Sequence, residues 1–208
     1  PGDPWIARLA AIEVEVKLAE QPLYAVHITS ANALYRAWAF EKVGPFREEL
    51  YNATLDSDFN ARLVEAGYRL RFVREARATH AYKGSLRGYL ERYFWYGRFR
   101  RQVQQRYLYP ADRWVAMSVL FTAFAYGALL LIPVYPYLTA VAWCLSLAVN
   151  GLWTFQLARY RRETALLVFP FILILRNTTA LVGILTGLFS KRDDVTSSRR
   201  STSGRQTD

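Results

Sequence analysis

Residues 114–155 read WVAMSVLFTAFAYGALLLIPVYPYLTAVAWCLSLAVNGLWTF and contain no charged side chain. A soluble core strand or helix has no need of so long a charge-free run. A bilayer does, because each spanning helix requires about 20 predominantly apolar residues. The run divides at its prolines. Val115–Ile132 is predicted as one span, opened by Trp114 at interfacial depth. Pro133 and Pro136 bracket the turn IPVYPY, and Tyr137–Phe155 is the return span. The competing reading, a buried hairpin inside a large soluble protein, fails because the 113 residues before it could not wrap it.

The charges lie outside this run. Residues 1–113 hold 18 of the 27 Lys and Arg and 13 of the 17 Asp and Glu. Basic residues crowd both ends of the hairpin: RYFWYGRFRRQVQQRYLYPADR precedes it, and Arg159, Arg161 and Arg162 follow. The turn has none. Positive-inside bias therefore predicts an integral membrane protein with both hairpin ends in the cytoplasm, at the plasma membrane if the source is prokaryotic. The single cysteine, Cys144, falls inside the second span, so no intrachain disulfide or multi-cysteine zinc site is available.

Before the hairpin, the sequence alternates helix and strand signals. Helices are predicted at Pro4–Leu18, Ala37–Val43 (stopped by Gly44) and Ser57–Ala66 (stopped by Gly67). Strands are predicted at Leu23–Thr29 and Tyr68–Val73. That is an α/β segment with a thin sheet. It is followed at 85–113 by an amphipathic interfacial helix and linker, on which Leu86, Leu90 and Phe94 form an i, i+4 stripe and Arg87, Arg98, Arg100 and Arg101 supply charge. The membrane region is set at 114–190 and a disordered Ser/Thr/Arg-rich tail at 191–208.

The third hydrophobic segment, Ala165–Phe189, is long enough to span. However, Arg176 falls at its middle, and a charge at mid-bilayer costs at least about 2.5 kcal/mol on insertion scales. Two arrangements relieve that cost. Ala165–Leu175 and Ala180–Phe189 can be half-length helices of a re-entrant pair, bent at Pro170 or Gly183. Alternatively, the segment lies partly in the cytoplasmic interface, with Arg176 reaching phosphate or packing under the soluble domain. Both put the C-terminus in the cytoplasm.

The order of signals between Ser30 and Tyr96 is distinctive. SANALYRAWAFEKVGPF comes first, TLDSDFNARLVEAGYRLRFVREARATH second and SLRGYLERYFWYGR third. This order resembles the C-terminal half of the catalytic domain of family 2 glycosyltransferases, over about residues 23–105. The resemblance implies a partial GT-A-like domain at 1–84 and a membrane-bound inverting enzyme. Such an enzyme moves a sugar from a nucleotide sugar to a lipid-linked or membrane-proximal acceptor. It implies that Asp56 is the catalytic carboxylate, which accepts the acceptor hydroxyl's proton as the new bond forms.

It further implies that Asn32, Arg36, Asp58, Arg92 and Arg98 contact substrate. His80 would touch the divalent metal or the diphosphate, and an imidazole suits Mn²⁺ better than Mg²⁺. The local alternative for Asp56 or Asp58 is an N-cap on the helix that follows. His27 alternates with strand residues and reads as structural. Two positions depart from the family pattern: Ser30 stands at a Gly, and Leu55 stands at the Glu before the catalytic Asp. The Gln-x-x-Arg-Trp motif of processive synthases is not found. Neither is the family's first half, with its metal-binding Asp-x-Asp pair, so the chain is expected to be a fragment lacking most of the donor site. A rival class is a non-catalytic, basic, membrane-anchored module that binds anionic lipid or a partner. The net charge of +10 permits it. No RNA-binding motif appears, so nucleic acid is not an expected partner.

Overall fold

The computed structural model describes residues 4–25, 27–50, 55–82, 84–99, 110–162 and 164–189. Arg100, Arg101, the linker to residue 109 and the tail at 191–208 lie outside these. The described residues are mostly helical. Among them seven α-helices run in order: α1 (Trp5–Ala19), α2 (Ala37–Val43), α3 (Leu55–Glu65), α4 (Leu86–Phe99), α5 (Pro110–Ala128), α6 (Pro136–Tyr160) and α7 (Phe169–Phe189). Two strands, β1 (Tyr24–Ala25) and β2 (Leu70–Arg71), pair antiparallel, with Tyr24 opposite Arg71 and Ala25 opposite Leu70.

This corrects the α/β expectation. The segments at 23–29 and 68–73 yield two residues of strand each, and no GT-A-like sheet is present among the described residues. The physical reason is local. Beyond Ala25, the first segment is held by a side chain: Asn60 Nδ2 donates to Ile28 O at 2.6 Å. A two-stranded ribbon has little stability of its own. This one survives by packing Ala25 and Leu70 into a small core with Ala39, Phe59 and Leu63. Phe59 is fully buried there, edge-on to Tyr35 at 5.0 Å and stacked on Phe40 at 4.8 Å.

The stops are chemical. Gly67 has φ +84°, which an L side chain rarely adopts. It closes α3 with the paired bonds of a Schellman turn, Tyr68 N–H to Leu63 O at 3.0 Å and Gly67 N–H to Val64 O at 3.0 Å. Gly44, at φ +79° and ψ 170°, ends α2 with a positive φ of its own, in an extended conformation that favours glycine.

The hairpin is formed by α5 and α6, joined through a 3-10 turn at Leu129–Leu131 and resumed at Pro136 as a helix N-terminus. Among the described residues, three stretches are long and apolar enough to cross a membrane: Arg113–Leu131, Pro136–Tyr160 and Leu166–Phe189. Within the hairpin, polar groups bond across the helices. Ser118 Oγ donates to Asn150 Oδ1 at 2.7 Å, Thr122 Oγ1 lies 3.3 Å from Ser146 Oγ, and Thr139 Oγ1 donates to Ala128 O at 2.6 Å. Each such bond is worth about 0.6 kcal/mol in a bilayer setting, so the set serves registry more than strength.

The third hydrophobic segment is one continuous helix. Pro170 sits in its first turn, where the lost N–H is harmless, and α7 runs unbroken past Gly183. The pair of half-length helices is therefore corrected. Arg176 is 1% exposed, and its charge is answered by Glu13 of α1, 2% exposed, at Nη1–Oε1 2.7 Å. Tyr93 of α4 donates to the other Glu13 oxygen at 3.0 Å, and its ring lies 4.9 Å under the guanidinium. Asn177 Oδ1 accepts from Arg176 Nε at 3.2 Å and Nη2 at 3.1 Å, while Asn177 Nδ2 reaches Ser118 Oγ at 2.6 Å and Thr122 Oγ1 at 3.1 Å. With Asn150 of α6, which accepts from Asn177 Nδ2 at 3.2 Å, five helices thus share one buried polar chain.

Around that chain lies the larger core. Ile6, Leu9 and Ile12 of α1 pack with Trp153 and Leu157 of α6, Tyr89 of α4, and Phe169 and Leu173 of α7. The predicted Leu86–Leu90–Phe94 stripe of α4 meets protein: Leu86 and Leu90 pack against this core, and Phe94 O abuts Gly183 of α7.

Candidate functional site

Asp56 occupies the first turn of α3, which begins at Leu55, so neither Asp56 nor Asp58 is the helix cap. A carboxylate in the first turn is favoured by the unpaired N–H groups there. Asp56 Oδ1 accepts from Ser57 N–H at 2.8 Å. Oδ2 accepts from Ser30 N–H at 3.0 Å, with the Ser30 hydroxyl at 3.4 Å. The carboxylate is half-buried, and the two N–H groups with the Ser30 hydroxyl fix its direction.

One helical turn on, Asn60 is fully buried and holds the same approach from behind. Its Oδ1 accepts from Tyr35 OH at 2.9 Å, and its Nδ2 reaches Ile28 O at 2.6 Å and lies 3.0 Å from His27 Nδ1. Asp56 and Asn60, four residues apart on one face of α3, therefore grip residues 28–30 together. His27 takes the structural part its strand pattern suggested. Burial, and then the charge of Asp56, push the Tyr35 hydroxyl up to about 12, against the bond from Tyr35 to Asn60. Tyr35 is thus a neutral donor at any working pH.

Asp58 has a different environment. It is fully buried, with Arg62 Nε donating to Oδ2 at 2.9 Å and Arg47 Nη1 3.2 Å from Oδ1, an ion pair without hydrogen-bond alignment. Arg62 also donates to the carbonyls of Val43, Gly44 and Pro45, which ties α3 to the turn after α2. Asp58, expected at the acceptor or as a cap, is instead an interior ion-pair residue with no face for a substrate.

The remaining candidates fall into two groups. Asn32 donates to Ala76 O at 2.8 Å and so joins the 30–36 segment to the loop that leads to His80. His80 is exposed and stands edge-on to Tyr82 at 4.7 Å, and the Arg92 guanidinium lies 5.6 Å over the same Tyr82 ring. The Tyr96 hydroxyl, one turn beyond Arg92 on α4, is pushed up by burial. Arg92 opposes that shift and Asp56 adds to it. His80 and Arg92 thus share the Tyr82 ring, and the Tyr96 hydroxyl feels the charges of both Arg92 and Asp56. Arg36 and Arg98 stand apart. Arg36 is exposed at the start of α2. Arg98 stacks on Trp95 at 5.7 Å, with its backbone against Gly187 of α7.

No group of three His, Cys, Asp or Glu side chains converges among the described residues. They do not build a Mn²⁺ or Mg²⁺ site by themselves, and His80 has no described co-ligand. Sequence reasoning missed Tyr35, Asn60, Tyr82 and Tyr96. Asn60 carried a usable signal, being an amide four residues from Asp56 in a helix otherwise buried through Phe59 and Leu63. In comparisons with protein-family models, curated proteins and solved structures, the chain has no match.

Proposed function

We propose that the chain forms the acceptor side of a membrane-bound inverting glycosyltransferase that moves a sugar from a nucleotide sugar to a lipid-linked or membrane-proximal hydroxyl. The observation that carries this reading is Asp56. It is an aimed, half-buried carboxylate at a helix start. In that role Asp56 accepts the proton of the attacking hydroxyl while the sugar's bond to the nucleotide diphosphate breaks. Ser30 N–H holds the carboxylate in direction, and Arg92 offers positive charge to the anionic part of donor or acceptor. The motif order from Ser30 to Tyr96 supports the same class. Residues that bind the nucleotide are not among those described.

The natural gene product should be tested in native membranes with a panel of radiolabelled nucleotide sugars. The expected result is label in chloroform-extractable lipid that depends on the gene. Membranes that bind anionic vesicles through the protein but transfer no label from any donor would favour the non-catalytic module.

A further inference from the structure

Asn60 is fully buried on α3, between Phe59 and Leu63 of the small core. What each of its partners can give fixes its orientation. The Tyr35 hydroxyl stays protonated, because burial and the charge of Asp56 push it up, and its one proton goes to Asn60 Oδ1 at 2.9 Å. Ile28 O can only accept, so the atom facing it at 2.6 Å is the amide nitrogen. The second proton of that nitrogen points at His27 Nδ1, 3.0 Å away. A ring nitrogen that accepts a hydrogen bond carries no proton of its own. His27 is therefore neutral, with its hydrogen on Nε2.

The two groups that Asn60 Nδ2 holds, His27 and Ile28 O, lie on the extended chain that runs into Ser30. The strand β1 ends at Ala25, and beyond it the Asn60 side chain stands where a ladder partner would. The Ser30 N–H that meets Asp56 Oδ2 at 3.0 Å belongs to the peptide unit next after the one whose carbonyl Asn60 holds. Any shift of Ile28 O is thus passed to the donor that aims the carboxylate. Asp56 itself starts one turn before Asn60 on the same helix, so α3 fixes both ends of this link.

We propose that Asn60, with neutral His27 as its acceptor, is a positioning residue for Asp56: it sets the segment 27–30 and, through the Ser30 N–H, the direction of the carboxylate. Its effect on turnover rests on the reading of Asp56 as the base. Its effect on Ser30 does not.

The test combines nuclear magnetic resonance of the ¹⁵N-labelled full chain in detergent with turnover. The nitrogen shifts of His27 should show a bare Nδ1 and a protonated Nε2. The Ser30 amide proton should lie downfield, as a charge-assisted bond to a carboxylate requires, and Asp56→Asn should reduce that shift and so identify it. Asn60→Leu, close in size, removes the bonds to Tyr35, Ile28 and His27. The expected result is loss of the downfield Ser30 signal, although Ser30 and Asp56 are unchanged. With it kcat should fall about 10²-fold while the KM for the donor holds, since misplacing a reacting group by about 1 Å costs that much. In an Asp56→Asn background the same substitution should cost no further turnover, because it acts through a carboxylate already lost. Should Asn60→Leu fail to fold, His27 gives the same reading. His27→Asn keeps an oxygen where Nδ1 stood and should keep the Ser30 signal, whereas His27→Phe removes the acceptor and should weaken it. A Ser30 signal unchanged in Asn60→Leu or in His27→Phe, or a His27 ring protonated on Nδ1, would overturn the proposal whether or not any sugar is transferred. A Ser30 signal that is lost while turnover stays level would uphold the link from Asn60 to the carboxylate and remove Asp56 as the base.

Discussion

Asp56→Asn should lower sugar transfer by about 10²–10⁴-fold, the usual contribution of a positioned general base. The substitution is mild in structure. Asparagine keeps an oxygen to accept from Ser30 N–H, and Asp56 is only half-buried, so no ionic partner is stranded. Loss of the first-turn charge should cost at most about 1 kcal/mol of helix stability. The circular dichroism spectrum and melting temperature should therefore stay close to those of the unmodified protein while turnover collapses. Donor binding should persist, because the change touches a proton acceptor. Turnover within threefold of the unmodified protein would remove Asp56 from the chemistry and leave it as a first-turn helix residue. Asp58→Asn should behave in the opposite way. It strips a buried carboxylate from Arg62 and Arg47, so its damage should appear first as lost stability.

The second large effect is expected at the core of the membrane assembly. Glu13→Ala should destabilise the protein by about 3–5 kcal/mol, because it leaves the buried Arg176 guanidinium without its counter-ion. Arg176→Leu should cost a similar amount by stranding Glu13. The double variant Glu13→Leu/Arg176→Leu should lose far less than the sum, since replacing both members of a buried pair with apolar groups is often nearly neutral. Unfolding in detergent, followed by tryptophan fluorescence, gives the cycle. Additive losses would mean that the two residues do not act as a pair. The pair also has a pH signature. Burial pushes the Glu13 carboxyl up, but Arg176, Lys17 and the Tyr93 hydroxyl together outweigh it and leave it below the ordinary carboxylate value. A depressed value in the folded state contributes stability above the unfolded value, and that stability is lost as pH falls through the folded one. Stability should thus be level through neutral pH and decline only on the acid side of the usual carboxylate range, and Glu13→Gln should remove that decline.

The parts of this architecture that could be read from sequence are those written in local chemistry. A charge-free run with prolines at its centre marks α5 and α6, and Gly44 and Gly67 mark helix ends because only glycine accepts their φ cheaply. The Glu13–Arg176 pair could not be read in this way, because 163 residues separate its members, Arg176 alone reads as a defect in an apolar segment, and Glu13 is one of several charges on α1. The sheet was overestimated because the alternation at 23–29 records a half-buried extended chain, not a ladder; the partner of Ile28 O is a side chain. Asp56 and Asp58 are indistinguishable by type and spacing. Burial separates them: Asp58 is closed in by Arg62, one turn on along α3, and by Arg47, which arrives from another segment. Arg98 and Arg92 likewise share a helix yet face different neighbours, Trp95 and Tyr82.

The most direct test of the central claim, that Asp56 serves a single in-line displacement onto a membrane acceptor, is the anomeric configuration of the product. Nuclear magnetic resonance of the glycolipid recovered from native membranes gives the coupling constant at the anomeric carbon. One displacement with a carboxylate acting only as base predicts a configuration opposite to that of the nucleotide-sugar donor. A product that retains the donor's configuration would contradict the account, because it requires either a covalent intermediate or a front-side mechanism that Asp56, acting as base alone, does not provide.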